Sequence, residues 1–121
     1  MISIVDDDPS VREGLSRLLS SAGFLVNAFS SAETYLNSDQ LERTECLLLD
    51  VRMPGKTGLE LERQLAANRS KVPIIFITAH GEEIAGAQAL DGRPRTVLTK
   101  PFSEEALLNT INNMLGIRGN S

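Results

Sequence analysis

Cys46-Leu47-Leu48-Leu49-Asp50-Val51-Arg52-Met53-Pro54-Gly55-Lys56-Thr57-Gly58-Leu59-Glu60-Leu61 reads as a strand, a loop and the start of a helix in one continuous piece. Cys46 to Leu49 is apolar without interruption, which suits a strand covered by helices on both faces better than one with a wet face. The run stops at an aspartate, so Asp50 falls where the strand should leave the core. Thr57 with Glu60 forms a capping box: the threonine side chain accepts from the amide three residues on, and the glutamate reaches back. Leu61 and Leu65 then share a face of the helix that follows. Cys46, the single cysteine, has no internal disulfide partner and reads as a small core residue.

The same punctuation recurs along the chain. Ile2 to Val5 precedes the acidic run Asp6, Asp7, Asp8; Ile74 to Ile77 precedes Thr78; Val97 and Leu98 mark a weaker strand just before Lys100 and Pro101. Leu25 to Phe29 is a fifth strand. Between strands the apolar residues recur at helical spacing. Asp8 then Pro9 is a helix start, a capping residue followed by proline at the first helical position, so Asp8 reads as a cap more readily than as a metal ligand. Val11, Leu15, Leu18, Leu19 and Ala22 form one stripe, which Gly23 can end in a left-handed conformation. Ser30 with Glu33 reads as a capping box for a short helix through Leu36, with the polar stretch Asn37 to Thr44 as its end and a loop. Ser103, Glu104 and Glu105 open the last helix. Its stripe is Leu107, Leu108, Ile111, Met114 and Leu115, and Gly116 is its expected stop.

Strands alternating with helices over short connections imply a parallel sheet with right-handed crossovers, an α/β fold. All carboxyl ends of such strands share one edge, where ligands of open α/β sheets bind. Asp6, Asp7, Asp50, Thr78 and Lys100 therefore converge although the sequence spreads them widely. Crowded carboxylates repel one another unless a cation is present. Magnesium prefers one or two carboxylates with waters and phosphate oxygens, so Asp7 and Asp50 suit direct ligation and Asp6 ligation through water. A carboxylate can act as nucleophile toward phosphorus, and Asp50 is the candidate. Thr78 could donate a hydrogen bond to one phosphoryl oxygen and Lys100 place a positive charge on another. The proline after Lys100 admits a cis peptide bond that would aim the lysine inward. Taken singly, a strand-end aspartate is usually a cap and a lone lysine a solvated charge; it is their coincidence on one edge that carries the reading.

Composition sets the outer bounds. A chain of 121 residues, 41% hydrophobic and 23% charged, suits a single globular domain. The apolar runs are too short to cross a bilayer and the acidic N-terminal stretch lacks a basic signal-peptide start, so a cytoplasmic location is expected. A net charge of −4 disfavours this domain as a nucleic-acid contact.

These motifs together resemble the receiver domain of two-component response regulators, the CheY-like superfamily. The match runs through Val5-Asp6-Asp7-Asp8, Asp50 to Gly55 with Thr57-Gly58, Ile77-Thr78-Ala79 and Lys100-Pro101-Phe102. The intervals of 43, 28 and 22 residues between Asp7, Asp50, Thr78 and Lys100 also look like that family's spacing. The Met53-Pro54-Gly55 loop and the His80-Gly81 pair are similar to the FixJ and NarL transcriptional branches. The resemblance implies a five-stranded sheet of order 2-1-3-4-5. It implies that Asp50 takes a phosphoryl group from the phosphohistidine of a sensor histidine kinase. Asp6, Asp7, Asp50 and the backbone carbonyl of Arg52 would hold Mg2+, and Thr78 and Lys100 would read the modification. The chain would be a phosphoacceptor switch, catalysing nothing beyond its own phosphorylation and dephosphorylation. Residues 1–116 would form the receiver, and 117–121 a tail or the start of a linker to a C-terminal effector domain controlling transcription. Homodimerisation on phosphorylation is a further implied partnership.

Two rivals fall in other classes. Gly55-Lys56-Thr57 resembles the end of a nucleotide-binding P-loop, but the first glycine of that motif would be Asp50, whose carboxylate would repel the phosphates. A pseudo-receiver, a binding module that keeps the fold without phosphorylation, is disfavoured because acceptor, threonine and lysine are all retained. The chain also departs from the family. Val97 stands where receivers usually carry Tyr or Phe, which puts the ring-rotation half of the switch in doubt. Asp91-Gly92-Arg93-Pro94-Arg95 replaces a small-residue turn, so Arg93 and Arg95 are expected to add charge beside a face used for dimerisation. With Gly86 weakening it, the helix between the fourth and fifth strands is expected to be mobile. His80 reads as an exposed loop residue that could influence water access to the phosphoryl group.

Overall fold

The computed structural model describes residues 1–53, 55–79 and 95–119, with side chains to residue 116. The elements are β1 (Ile2–Val5), α1 (Pro9–Ser21), β2 (Val26–Phe29), α2 (Ala32–Leu36), β3 (Cys46–Asp50), α3 (Gly58–Ala67), β4 (Ile74–Thr78), β5 (Arg95–Thr99) and α4 (Glu104–Gly119). The strands pair in parallel in the order β2-β1-β3-β4-β5, as expected. The expectations for His80, Gly86, Asp91 to Pro94 and Pro54 lie outside the described residues.

Register explains the two cores. One row runs Val5, Leu49, Phe76, Val97 across the sheet, and the row before it Ile4, Leu48, Ile75, Thr96. Successive rows face opposite sides. Val5, Leu47, Leu49, Ile74 and Phe76 thus pack with Tyr35, Leu61 and Leu65 of α2 and α3. Ile2, Ile4, Cys46, Leu48, Ile75 and Ile77 pack with Leu15, Leu19, Leu107, Ile111 and Met114 of α1 and α4. Both faces are dry, which is why β3 and β4 read as unbroken apolar runs. Ser3, facing α2, is buried, and its hydroxyl meets Thr44 Oγ1 at 2.7 Å, which in turn accepts from Tyr35 Oη at 3.0 Å. That chain of hydroxyls lets a tyrosine lie fully buried with its polar end satisfied.

Several boundaries differ from expectation for local reasons. Leu25, 77% exposed, stays outside β2. The cap of α2 is Ser31, whose side chain accepts from the Thr34 amide, and not Ser30; Glu33 is thereby released from the expected capping box and reaches elsewhere. Gly116 does not stop the last helix, which continues to Gly119, because a lone glycine costs only about 1 kcal/mol in a helix whose neighbours are packed. Gly23, by contrast, takes the left-handed turn after α1 at φ 96°. Arg95 lies in β5, not on the surface: its row faces α3, and its guanidinium is buried against Glu62.

Candidate functional site

The rows that build the core continue into the site. Val5 and Leu49 are paired, so the residues immediately after them, Asp6 and Asp50, leave adjacent strands side by side. Asp50 is paired with Ile77, and Thr78 with Thr99. The next residue, Lys100, donates its amide to the Thr78 carbonyl at 2.8 Å. All five expected side chains therefore stand on one edge. The bond between Lys100 and Pro101 is cis.

Carboxylate oxygens of Asp6, Asp7 and Asp50 lie within 4.8 Å of one another, with Asp6 buried, Asp7 exposed and Asp50 between. Local bonds hold each loop. Asp6 Oδ1 accepts from the Asp8 amide at 2.9 Å, and Arg12 Nη1 donates to the Asp6 carbonyl at 2.7 Å. Asp8 caps α1, accepting from the Ser10 amide at 2.9 Å, so it serves as the cap that the sequence suggested. Asp50 Oδ1 accepts from the Arg52 amide at 3.2 Å, which turns the chain at Arg52 back toward that carboxylate. Thr78 is 4% exposed at the end of β4, whereas Lys100 is exposed.

Electrostatics follow from this crowding. Burial pushes the Asp50 carboxyl up to about 6, and the Asp6 charge adds to the rise, against the Arg52 amide and the Lys100 ammonium. Burial likewise raises Asp6, opposed by the Asp8 amide and Lys100. Removing water and placing like charges together disfavour ionisation alike, and a hard divalent cation reverses both. Three carboxylates at this spacing fit such a cation. Lys100 alone does not offset them.

Gly58 carries a specific constraint that its place in the loop motif does not reveal. A Cβ there would stand 2.5 Å from the Asp50 carbonyl oxygen and 3.1 Å from Val51 Cα. The first turn of α3 thus packs directly on the backbone of Asp50, and Gly58 N donates to the Val51 carbonyl at 3.1 Å. The available signal was a glycine just inside a capped helix, where it is otherwise unfavourable. Arg12 was missed because an arginine on a helix reads as a solvated charge. The P-loop rival loses its remaining support: the Lys56 amide, which should cradle phosphate, donates instead to Glu33 Oε1 at 3.1 Å, and Lys56 Nζ donates to Gln64 Oε1 at 3.1 Å.

Comparison with known proteins agrees with this geometry. A family model described as the response regulator receiver domain matches residues 2–112. The response regulator protein TodT of Pseudomonas putida is 44% identical over 111 residues, 92% of this chain and 49% of TodT. The transcriptional regulatory protein FixJ of Bradyrhizobium diazoefficiens is 35% identical over 114 residues, 94% of this chain and 56% of FixJ. The solved structure of the response regulator StyR matches with a TM-score of 0.88 at 46% identity, covering 98% of this chain and 60% of that one. Chemotaxis protein CheY4 of Vibrio cholerae matches with a TM-score of 0.82 at 28% identity, covering 94% and 97% of the two chains. The chain spans about half the length of the curated relatives it matches. With motif spacing, strand order and clustered acids in agreement, the chain belongs to the response regulator receiver domain family, the phosphoacceptor switches of two-component signalling.

Proposed function

We propose that Asp50 accepts a phosphoryl group from the phosphohistidine of a sensor histidine kinase, in a reaction that requires Mg2+ held by Asp6, Asp7, Asp50 and the backbone carbonyl of Arg52. The observation that carries this reading is the meeting of three carboxylates within 4.8 Å around a half-buried Asp50. A carboxylate oxygen of Asp50 attacks phosphorus, the P–N bond to the imidazole breaks, and the imidazole nitrogen keeps the electron pair. Magnesium bound among the acids supplies positive charge to the carboxylates and the phosphoryl oxygens. Thr78 donates its hydroxyl proton to one phosphoryl oxygen, and Lys100 brings its ammonium to another, both from the strand ends next to β3.

Phosphorylation then shifts a two-state equilibrium of the domain. Val97 packs partly buried beside the α2 and α3 core and has no ring to reorient, so the shift runs through the β4 and β5 backbones that Lys100 and Thr78 share. The protein acts on no separate substrate; its only catalysis is gain and loss of its own phosphoryl group. The unit 1–116 works as the receiver, and residues 117–121 lead into a tail or linker. Its output is transcription through a C-terminal effector domain, with homodimerisation as the intervening step, in a cytoplasmic setting; the effector is supported by FixJ being a transcriptional regulatory protein and by TodT and FixJ being about twice as long as this chain. No helix among the described residues is long and apolar enough to cross a membrane.

Intact mass after incubation with acetyl phosphate and Mg2+ tests the proposal. One phosphoryl adduct is expected on the parent and none on Asp50→Asn or after chelation. An adduct that persists on the variant overturns the assignment of Asp50; no adduct on the parent favours the pseudo-receiver.

A further inference from the structure

The loop from Val51 to Thr57 carries Arg52 and is fastened at both ends by near neighbours. Arg52 N donates to Asp50 Oδ1 at 3.2 Å and Gly58 N to the Val51 carbonyl at 3.1 Å. Thr57 and Glu60 exchange the two bonds of their capping box at 3.0 and 3.2 Å. One fastening comes from a different part of the chain. Glu33, in the first turn of α2, accepts from the Lys56 amide at 3.1 Å across a separation of 23 residues. Its Oε1 stands 3.4 Å from where a Cβ of Gly55 would lie, and Gly55 turns the loop at φ 76°. The loop therefore passes α2 with the glycine's bare side toward the carboxylate.

We propose that Glu33 is a positioning residue for the metal site: its carboxylate clamps the Lys56 amide and so holds the loop that presents the Arg52 carbonyl. The inference rests on reading Asp6, Asp7 and Asp50 as a magnesium site. Its own amide and the Lys56 amide hold the Glu33 carboxyl below its ordinary value, so the acceptor is ionised at neutral pH and the bond is charge-assisted. A carbonyl ligand has no side-chain torsion with which to seek the ion, so its place is set by the backbone that bears it. Groups that orient ligands in this way change metal affinity without touching the metal. Ser31 is the cap of α2, and the Glu33 carboxylate, which also bonds its own amide and the Ser31 side chain, extends from that first turn to the loop.

The test compares the parent with Glu33→Ala and Glu33→Gln by amide NMR on the full chain, in two measurements. Hydrogen exchange at the Lys56 amide reads the clamp without metal, and magnesium titration followed at Arg52 and Gly58 reads its consequence. Glu33→Ala is expected to speed Lys56 exchange and to weaken magnesium binding about three- to tenfold, as the loss of one exposed hydrogen bond allows. Glu33→Gln keeps a neutral carbonyl acceptor at the same place and is expected to fall between the parent and Glu33→Ala. The rate of phosphorylation by acetyl phosphate should fall for Glu33→Ala at limiting magnesium and recover at saturation. Unchanged amide shifts at Tyr35 and Leu36 identify the variants as folded in α2. Parent-like magnesium binding in Glu33→Ala overturns the inference, as does a glutamine variant that loses as much as alanine, since charge and not the acceptor would then be responsible. If the parent itself gives no magnesium response, the metal reading fails, while Lys56 exchange still decides the clamp.

Discussion

Among the described residues, two clusters of charge lie partly out of water, and they are built on opposite plans. Between α3 and β5, Arg95 and Glu62 have side chains only 9% and 5% exposed. Arg95 Nη2 donates to Glu62 Oε1 at 3.0 Å, Arg95 Nε lies 2.8 Å from Oε2, and the guanidinium sits 5.0 Å from the centroid of the Phe76 ring. Each charge there has an opposite within the chain. At the carboxyl edge, Asp6, Asp7 and Asp50 bring like charges together, with the exposed Lys100 as their cationic neighbour. A matched pair asks nothing of the solvent; a mismatched group gains free energy only when something positive arrives. The difference separates charge that is matched within the fold from charge that is not.

The two clusters should differ most in their chemistry. Asp50→Asn should remove all phosphoryl adduct in the mass measurement, whereas Glu62→Gln should leave it in place. Next in size is the matched pair. Arg95→Met or Glu62→Leu alone leaves one buried charge unpaired and should cost about 3 kcal/mol or more in urea unfolding, while the double variant should recover most of that loss. A double variant as unstable as either single would mean that the pair itself, and not the stranded charge, stabilises the domain. Magnesium should raise the stability of the parent by about 1.4 kcal/mol at ten times its dissociation constant, read as a rise in Tm, and should do much less for Asp50→Asn.

The smallest effect is the pH dependence of the metal-free protein. Asp50 titrates at about 6 in the fold against 3.8 for the free group. The native state therefore binds the proton more tightly than the unfolded chain, and stability falls as pH rises from about 4 to about 6. Above that range the ionised Asp50 destabilises the metal-free fold; below it the penalty is gone. Asp50→Asn should thus be more stable than the parent at pH 7.5, by about 1 kcal/mol once solvent screening of this half-exposed group is allowed for, and no more stable at pH 4. Equal stabilities at pH 7.5 would mean that neither burial nor the neighbouring carboxylates penalise the ionised Asp50.

The site was far more legible in the sequence than its supports. Asp6, Asp50, Thr78 and Lys100 announce themselves because each ends an apolar run, and a parallel sheet sends every such ending to one edge. The capping box at Thr57 and the cap at Asp8 were equally readable, since both depend on residues two or three apart. Where two serines stood in succession, the local pattern could not choose between them, and Ser31 proved to be the cap. Arg95 was misjudged because charge near a turn ordinarily means solvent. Its place in a strand row facing α3 overrides that preference.

The sequence by itself thus determined the parallel α/β order, the edge on which the reactive groups gather and the acidic character of that edge, because apolar period and strand endings are local properties. Only the tertiary structure decided that Glu33 binds the loop 23 residues away, that Gly58 lies against the Asp50 carbonyl, and that Arg95 meets Glu62 across 33 residues. Those contacts depend on how helices and loops settle against a twisted sheet. No spacing along the chain encodes that distance, and packing alone sets it.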